Sequence, residues 1–157
     1  MNNKKIESFQ KAFALGILAG MRTTAAPLAA NLMLRKGDHP SYLTGFANKT
    51  ATTAILGVMA AGELVADKLP STGSRIAAGG LVGRCLSGAL SGWAICRVEK
   101  ANALSGALFG LTAALGSSFA CYYLRKGLVK KFHLYDPIVG GAEDLLTIGG
   151  GIYLINS

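Results

Sequence analysis

Residues 102–124 read NALSGALFGLTAALGSSFACYYL and contain no charged residue. A helix of this length spans about 35 Å at ~1.5 Å per residue, which is enough to cross the ~30 Å hydrocarbon core of a bilayer. The sequence therefore predicts an all-α fold, a polytopic transmembrane bundle of five spans that forms a single domain over residues 1–157. The other four apolar runs lie at 12–34, 50–68, 76–96 and 137–156.

The composition supports this prediction, because 51% of the residues are hydrophobic and only 15% are charged, against ~25% in an average soluble domain. Glycine accounts for 21 of 157 residues. It weakens a helix in water by ~1 kcal/mol relative to alanine, but it allows membrane helices to approach closely. Four Gly-x-x-x-Gly motifs indicate such packing and leave a homo-oligomer open: Gly16–Gly20, Gly79–Gly83, Gly88–Gly92 and Gly106–Gly110.

The net charge of +8 is spread between the apolar runs and forms no basic stripe with aromatic residues, so nucleic-acid binding is not expected. Loop lysines and arginines instead orient membrane proteins, because they are enriched on the cytoplasmic side. With five spans, nine of them lie on the side of the N-terminus and five on the other. This bias predicts an inner-membrane protein with a cytoplasmic N-terminus and an external C-terminus.

No enzymatic, metal or cofactor site is expected. Cys85 and Cys96 are eleven positions apart on one predicted helix, about 16 Å along its axis, which is beyond disulfide reach. No His or Cys pair has the spacing of metal ligands, and no nucleophile or phosphate-loop motif is present.

The segment GELVADKLP, residues 62–70, ends an apolar run that has no charge from Thr50 to Gly62. Glu63 and Asp67 are four residues apart, so a helix places both carboxylates on one face. Arg22 and Arg84 lie inside other apolar runs. Because an arginine at the centre of a membrane helix costs ~2.5–3.5 kcal/mol, we expect these two arginines to face acids rather than lipid.

The charged residues inside the predicted spans lie at similar depths in the membrane. Counted from one side of the bundle at ~1.5 Å per residue, Arg22, Glu63, Arg84 and Glu143 fall about 8–15 Å deep. This shared depth predicts a polar pocket open to the cytoplasm, which binds a small anion or a phosphate-bearing lipid headgroup. The candidate ligand-binding residues are Arg22, Glu63, Asp67, Lys68, Ser74, Arg75, Arg84, Glu143 and Asp144.

These residues carry a resemblance to a family of small bacterial integral membrane proteins classed as a domain of unknown function. The family's Glu-Leu-x-x-Asp-Lys-x-Pro signature is similar to residues 63–70, although Gly73 stands where a proline is expected before the Ser-Arg pair. The resemblance supports the fold and the site and implies no reaction. Its other matches are Gly20-Met21-Arg22, Ser74-Arg75, Gly83-Arg84 and the acidic pair Glu143-Asp144.

Two functions of different classes are favoured at this point, ahead of an enzyme acting on lipid phosphates, for which no catalytic base with a matching nucleophile is visible. The first is a small transporter, channel or lipid-headgroup translocating module, since charges inside a membrane usually serve function. The alternative is a non-transporting structural or assembly protein whose charges only lock the helices together, because buried ion pairs can specify packing. In both cases membrane lipids are the expected partners.

Overall fold

The structure is a computed structural model that describes residues 3–36, 50–66, 78–132 and 136–156. Over these residues the backbone is helical apart from short connections and contains no strand, which confirms the all-α prediction. The helices are α1 (Asn3–Met21), α2 (Ala25–Lys36), α3 (Thr50–Ala66), α4 (Ala78–Val98), α5 (Ala103–Phe132) and α6 (Asp136–Asn156).

The run at residues 12–34, which the sequence predicts as one span, is two helices. The Arg22 amide donates to the Leu18 carbonyl at 2.8 Å and ends α1. Pro27 is the third residue of α2, where its missing N–H is tolerated, but its ring excludes a helical carbonyl four residues earlier. That carbonyl belongs to Thr23, and it accepts a hydrogen bond from the Ser87 hydroxyl instead.

The helices alternate in direction. Ser118 of α5 donates to the Gly20 carbonyl at 3.2 Å, and the Phe9 and Phe109 rings lie 5.4 Å apart, so α1 and α5 run parallel. Cys96 of α4 donates to the carbonyl of Ser8, and Ser87 donates to that of Thr23, so α4 runs against α1.

The break at residues 22–24 reverses the chain once more than five spans would. Helix α6 runs from Asp144, which pairs with Arg22, to Asn156, which accepts from Lys36 at 2.8 Å. Helices α2 and α6 are therefore parallel to each other and antiparallel to α1. As a result, α1 begins and α6 ends at the same end of the bundle, whereas five spans require opposite ends.

Small residues let α1, α4 and α5 pack with their backbones in contact. A Cβ added to Gly88 would lie 2.6 Å from the Gly110 carbonyl oxygen, closer than any side chain permits. Gly92 of α4 likewise lies against Gly106 of α5. Leu15, which is fully buried, lies in the hydrophobic cluster beside these contacts.

Asn102, the first residue of the predicted span 102–124, lies directly before α5 and caps it. Its side-chain oxygen accepts from the amides of Leu104 at 3.0 Å and Ser105 at 3.2 Å, which caps the helix. Before it, Lys100 takes a left-handed conformation with φ of 55°, and the Ala101 amide donates to the Cys96 carbonyl at 2.8 Å. This tight turn makes α4 and α5 an antiparallel pair.

Many large apolar side chains on the outer faces of the bundle are exposed. Val58 of α3 is 73% exposed, Leu104 of α5 70% and Leu145 of α6 74%. Among the described residues, two stretches are long and apolar enough to cross a membrane by length and composition, Ala103–Lys130 and Ile138–Asn156. The number of spans therefore stays a prediction.

Candidate functional site

The turn between α1 and α2, which we call the α1–α2 tip and define as residues 22–24, holds the first site residue. Arg22 is only 5% exposed, and its Nε donates to Asp144 Oδ1 of α6 at 3.0 Å. A second guanidinium nitrogen donates to the same oxygen. The prediction that Arg22 faces an acid is confirmed, and the acid comes from the last helix.

Arg84 and Glu143 lie at the same level of the bundle as this ion pair. The tip residue Thr23 contacts α4 at Gly83 and accepts from Ser87, and these two positions flank Arg84, which is 7% exposed. Glu143 is 8% exposed and precedes Asp144 in the chain. The structure thus brings four of the predicted site residues, two cations and two acids, to one level.

This level lies inside the bundle, well away from the end at which α5 ends and α6 begins. Helix α5 continues for fourteen residues beyond Ser118, the partner of Gly20, and ends at Phe132, which is a rise of about 21 Å. Helix α6 begins eight residues before Asp144, about 12 Å away along its axis. The α1–α2 hairpin therefore stops well short of the end that α5 and α6 reach.

The remaining predicted residues cannot be placed in the site. Glu63 falls in the last turn of α3, and its side chain lies outside the part of the chain that the structure describes. The other four predicted residues lie between α3 and α4, outside the described residues: Asp67, Lys68, Ser74 and Arg75.

A groove runs from the ion pair between α2, α3 and α6. We call it the α2–α6 groove. Its volume is about 200 Å³, whereas a single water needs only ~10–15 Å³. Apart from Arg22, Asp144 and the hydroxyls of Thr24 and Thr147, its walls are apolar. They are formed by Ala25, Leu28, Ala29, Leu32, Ala60, Ile148, Gly151, Ile152 and Ile155.

Sequence reasoning missed the groups that position α3 on α2. The Thr53 hydroxyl donates to the side-chain oxygen of Asn31 at 2.6 Å and accepts from Arg35 at 3.0 Å. Asn31 is 4% exposed. Its presence in an otherwise apolar run was a signal that this face of α2 meets a polar partner, because buried amides are almost always hydrogen-bonded.

A second ion pair lies at the other end of the bundle and was not predicted. Lys11 of α1 donates to Glu99, just beyond α4, at 3.0 Å, with side chains 26% and 22% exposed. Among the described residues, no three His, Cys, Asp or Glu side chains cluster as metal ligands do. Cys85, Cys96 and Cys121 form no disulfide bond with one another.

The comparisons with known proteins identify a family and no activity. The chain matches no curated protein and no solved structure. Residues 11–156 match the family described as a domain of unknown function, DUF4126. Because this match covers almost the whole sequence, the chain belongs to the DUF4126 family.

Proposed function

We propose that this protein is a small multi-pass membrane protein of the transporter or channel type, whose site for an anionic solute or lipid headgroup is the α1–α2 tip. Membrane placement is supported by the exposed aliphatic faces of α3 to α6, because soluble monomers rarely leave large contiguous apolar surfaces uncovered. The two helices long enough to cross a bilayer support it further.

The observation that carries the site is the non-helical tip held inside the bundle against a buried ion pair. In a bilayer, backbone that leaves the helix is tolerated only where protein covers it or where it lines a cavity. Transporters place such interrupted helices at their binding sites. Here Asp144 holds Arg22 and Ser87 holds the Thr23 carbonyl, so the interruption is fixed rather than frayed.

Arg22 and Arg84 supply the cationic contacts in this proposal, with Glu143 and Asp144 as their counter-charges. Arginine suits the role because its planar fork binds phosphate or carboxylate at two points and stays charged at any working pH. Glu63, Asp67, Lys68, Ser74 and Arg75 remain proposed members of the same site.

The alternating directions of the six helices that the structure describes also change the proposed orientation. Because α1 begins at the end where α6 ends, the three N-terminal lysines lie on the same side as the five loop cations that the five-span prediction placed opposite them. Eight lysines and arginines then lie on the side of the N-terminus and six on the other side. A cytoplasmic N-terminus would then place the C-terminus inside too, and the polar site nearer the external face. Reporter fusions to the N-terminus and after Ser157 test this, and opposite readings would contradict the alternation of the six described helices.

Transport is tested with purified protein in proteoliposomes. Efflux of inorganic phosphate, efflux of chloride and exchange of a fluorescent phosphatidylglycerol between leaflets are measured separately. We expect one of the three to exceed that of empty liposomes, and Arg22→Gln or Asp144→Asn to lower it about tenfold, the loss expected when ~1.4 kcal/mol of binding is removed.

Lys11→Gln is the matched control, because it breaks an ion pair at the opposite end of the bundle. If inserted parent protein supports none of the three fluxes, the assembly role is favoured instead. The close glycine packing of α1, α4 and α5 and the mutual neutralisation of Arg22 and Asp144 are what a purely structural charge cluster would show.

A further inference from the structure

We propose that the α2–α6 groove binds one acyl chain of an anionic phospholipid whose phosphate lies at Arg35 and Lys36. This inference rests on the membrane placement proposed above and on nothing about transport. It concerns the end of the groove opposite the α1–α2 tip.

Two cations flank that end of the groove. Arg35, on the α3 side, donates to the Thr53 hydroxyl at 3.0 Å. Lys36, on the α6 side, donates to the Asn156 side-chain oxygen at 2.8 Å and to the Ile155 carbonyl at 3.4 Å. All three acceptors are neutral, so in the part of the chain that the structure describes the two positive charges have no carboxylate opposite them and can bind an anion.

The groove between them has the length of one leaflet's hydrocarbon. It follows α6 from Asp144 to Ile155, eleven residues and about 16 Å, and half of a ~30 Å bilayer core is about 15 Å. Small side chains make room for a chain along this path, namely Ala29 on α2, Ala60 on α3 and Gly151 on α6.

Charge and depth agree in this arrangement. Lys36 is exposed at the C-terminal end of α2, where a headgroup would lie, and the apolar walls begin with Leu32 one turn away. Basic residues at the membrane surface attract acidic lipids, while an apolar groove alone would accept any lipid chain. The cations therefore give selectivity, and the groove gives a defined position.

The test is native mass spectrometry of the detergent-purified protein with palmitoyl-oleoyl phosphatidylglycerol or phosphatidylcholine of the same chains. We expect one phosphatidylglycerol to bind in preference to phosphatidylcholine. Replacing Arg35 and Lys36 together by Gln should lower the affinity for phosphatidylglycerol by roughly fivefold per cation removed. The affinity for phosphatidylcholine should not change. The double substitution Lys126→Gln and Lys130→Gln, at the opposite end, is the charge control.

Substitutions at two glycines of α6 test where the acyl chain lies. A Cβ at either Gly149 or Gly151 meets no atom within 4 Å, but only Gly151 lines the groove. Gly151→Leu should abolish the bound lipid, and Gly149→Leu should not. Equal binding of both lipids, or equal loss in the two leucine variants, would overturn the proposal, because the lipid would then be a general annular one. Selective binding without any flux would leave this site standing and remove only the transport proposal.

Discussion

The bundle has two unlike halves. In α1, α4 and α5, glycine brings backbones into contact, as at Gly88 and Gly110. In α3 and α6, glycines such as Gly57, Gly149 and Gly151 have open space where a side chain would be. The same residue type therefore builds a dense core in one half and leaves room in the other. The difference shows that close packing and the open groove belong to different helices, and the α1–α2 tip lies between them.

Breaking the Arg22–Asp144 ion pair at the α1–α2 tip should lower the stability of the bundle more than any other change described below. Arg22→Leu leaves the Asp144 carboxylate, whose side chain is only 14% exposed, without its cation, which costs about 3–5 kcal/mol. We expect a marked loss of thermal stability in detergent, and a similar loss for Arg84→Leu, since Arg84 is only 7% exposed.

The double variant Arg22→Leu with Asp144→Leu sharpens this experiment. Replacing a buried ion pair by apolar residues is often neutral, so the double variant should recover much of the lost stability. If both single arginine variants melt like the parent, neither arginine belongs to a paired cluster.

The dense half is tested by adding one methyl group. Gly110→Ala would place a Cβ against the carbonyl oxygen of Gly88, and overpacking of this kind costs about 1–3 kcal/mol. Gly116→Ala on the same helix is the matched control, because its Cβ meets nothing within 4 Å. Equal melting temperatures for the two variants would contradict the backbone contact.

The sequence predicted the close packing of α1, α4 and α5 better than it predicted the arrangement of the other helices. Three Gly-x-x-x-Gly motifs pack as predicted, namely those ending at Gly20, Gly92 and Gly110, whereas Gly79 of the fourth motif meets no atom within 4 Å. The motif specifies a small surface, and only the position of a neighbouring helix decides whether that surface is used.

The reversal at the α1–α2 tip was missed because hydropathy records no polar loop there. Only three residues separate the two helices, and two of them are threonines in an apolar run. Thr23, four residues before Pro27, was the available signal, since proline prevents its carbonyl from joining the helix. The partner of Arg22 could not be assigned either, because Asp144 lies 122 residues away in the chain.

The smallest expected effect belongs to the ion pair at the far end, and it tests whether burial or mere pairing makes the Arg22–Asp144 pair important. Lys11 and Glu99 meet at 3.0 Å, as a good salt bridge should, but their side chains are 26% and 22% exposed. Solvent and salt screen such pairs, which contribute at most about 1 kcal/mol. Lys11→Met should therefore lower the melting temperature only slightly, and added salt should weaken the parent pair without touching the Arg22–Asp144 pair. A loss as large as that of Arg22→Leu would mean that pairing alone, and not burial beside the α1–α2 tip, sets the cost of breaking an ion pair in this bundle.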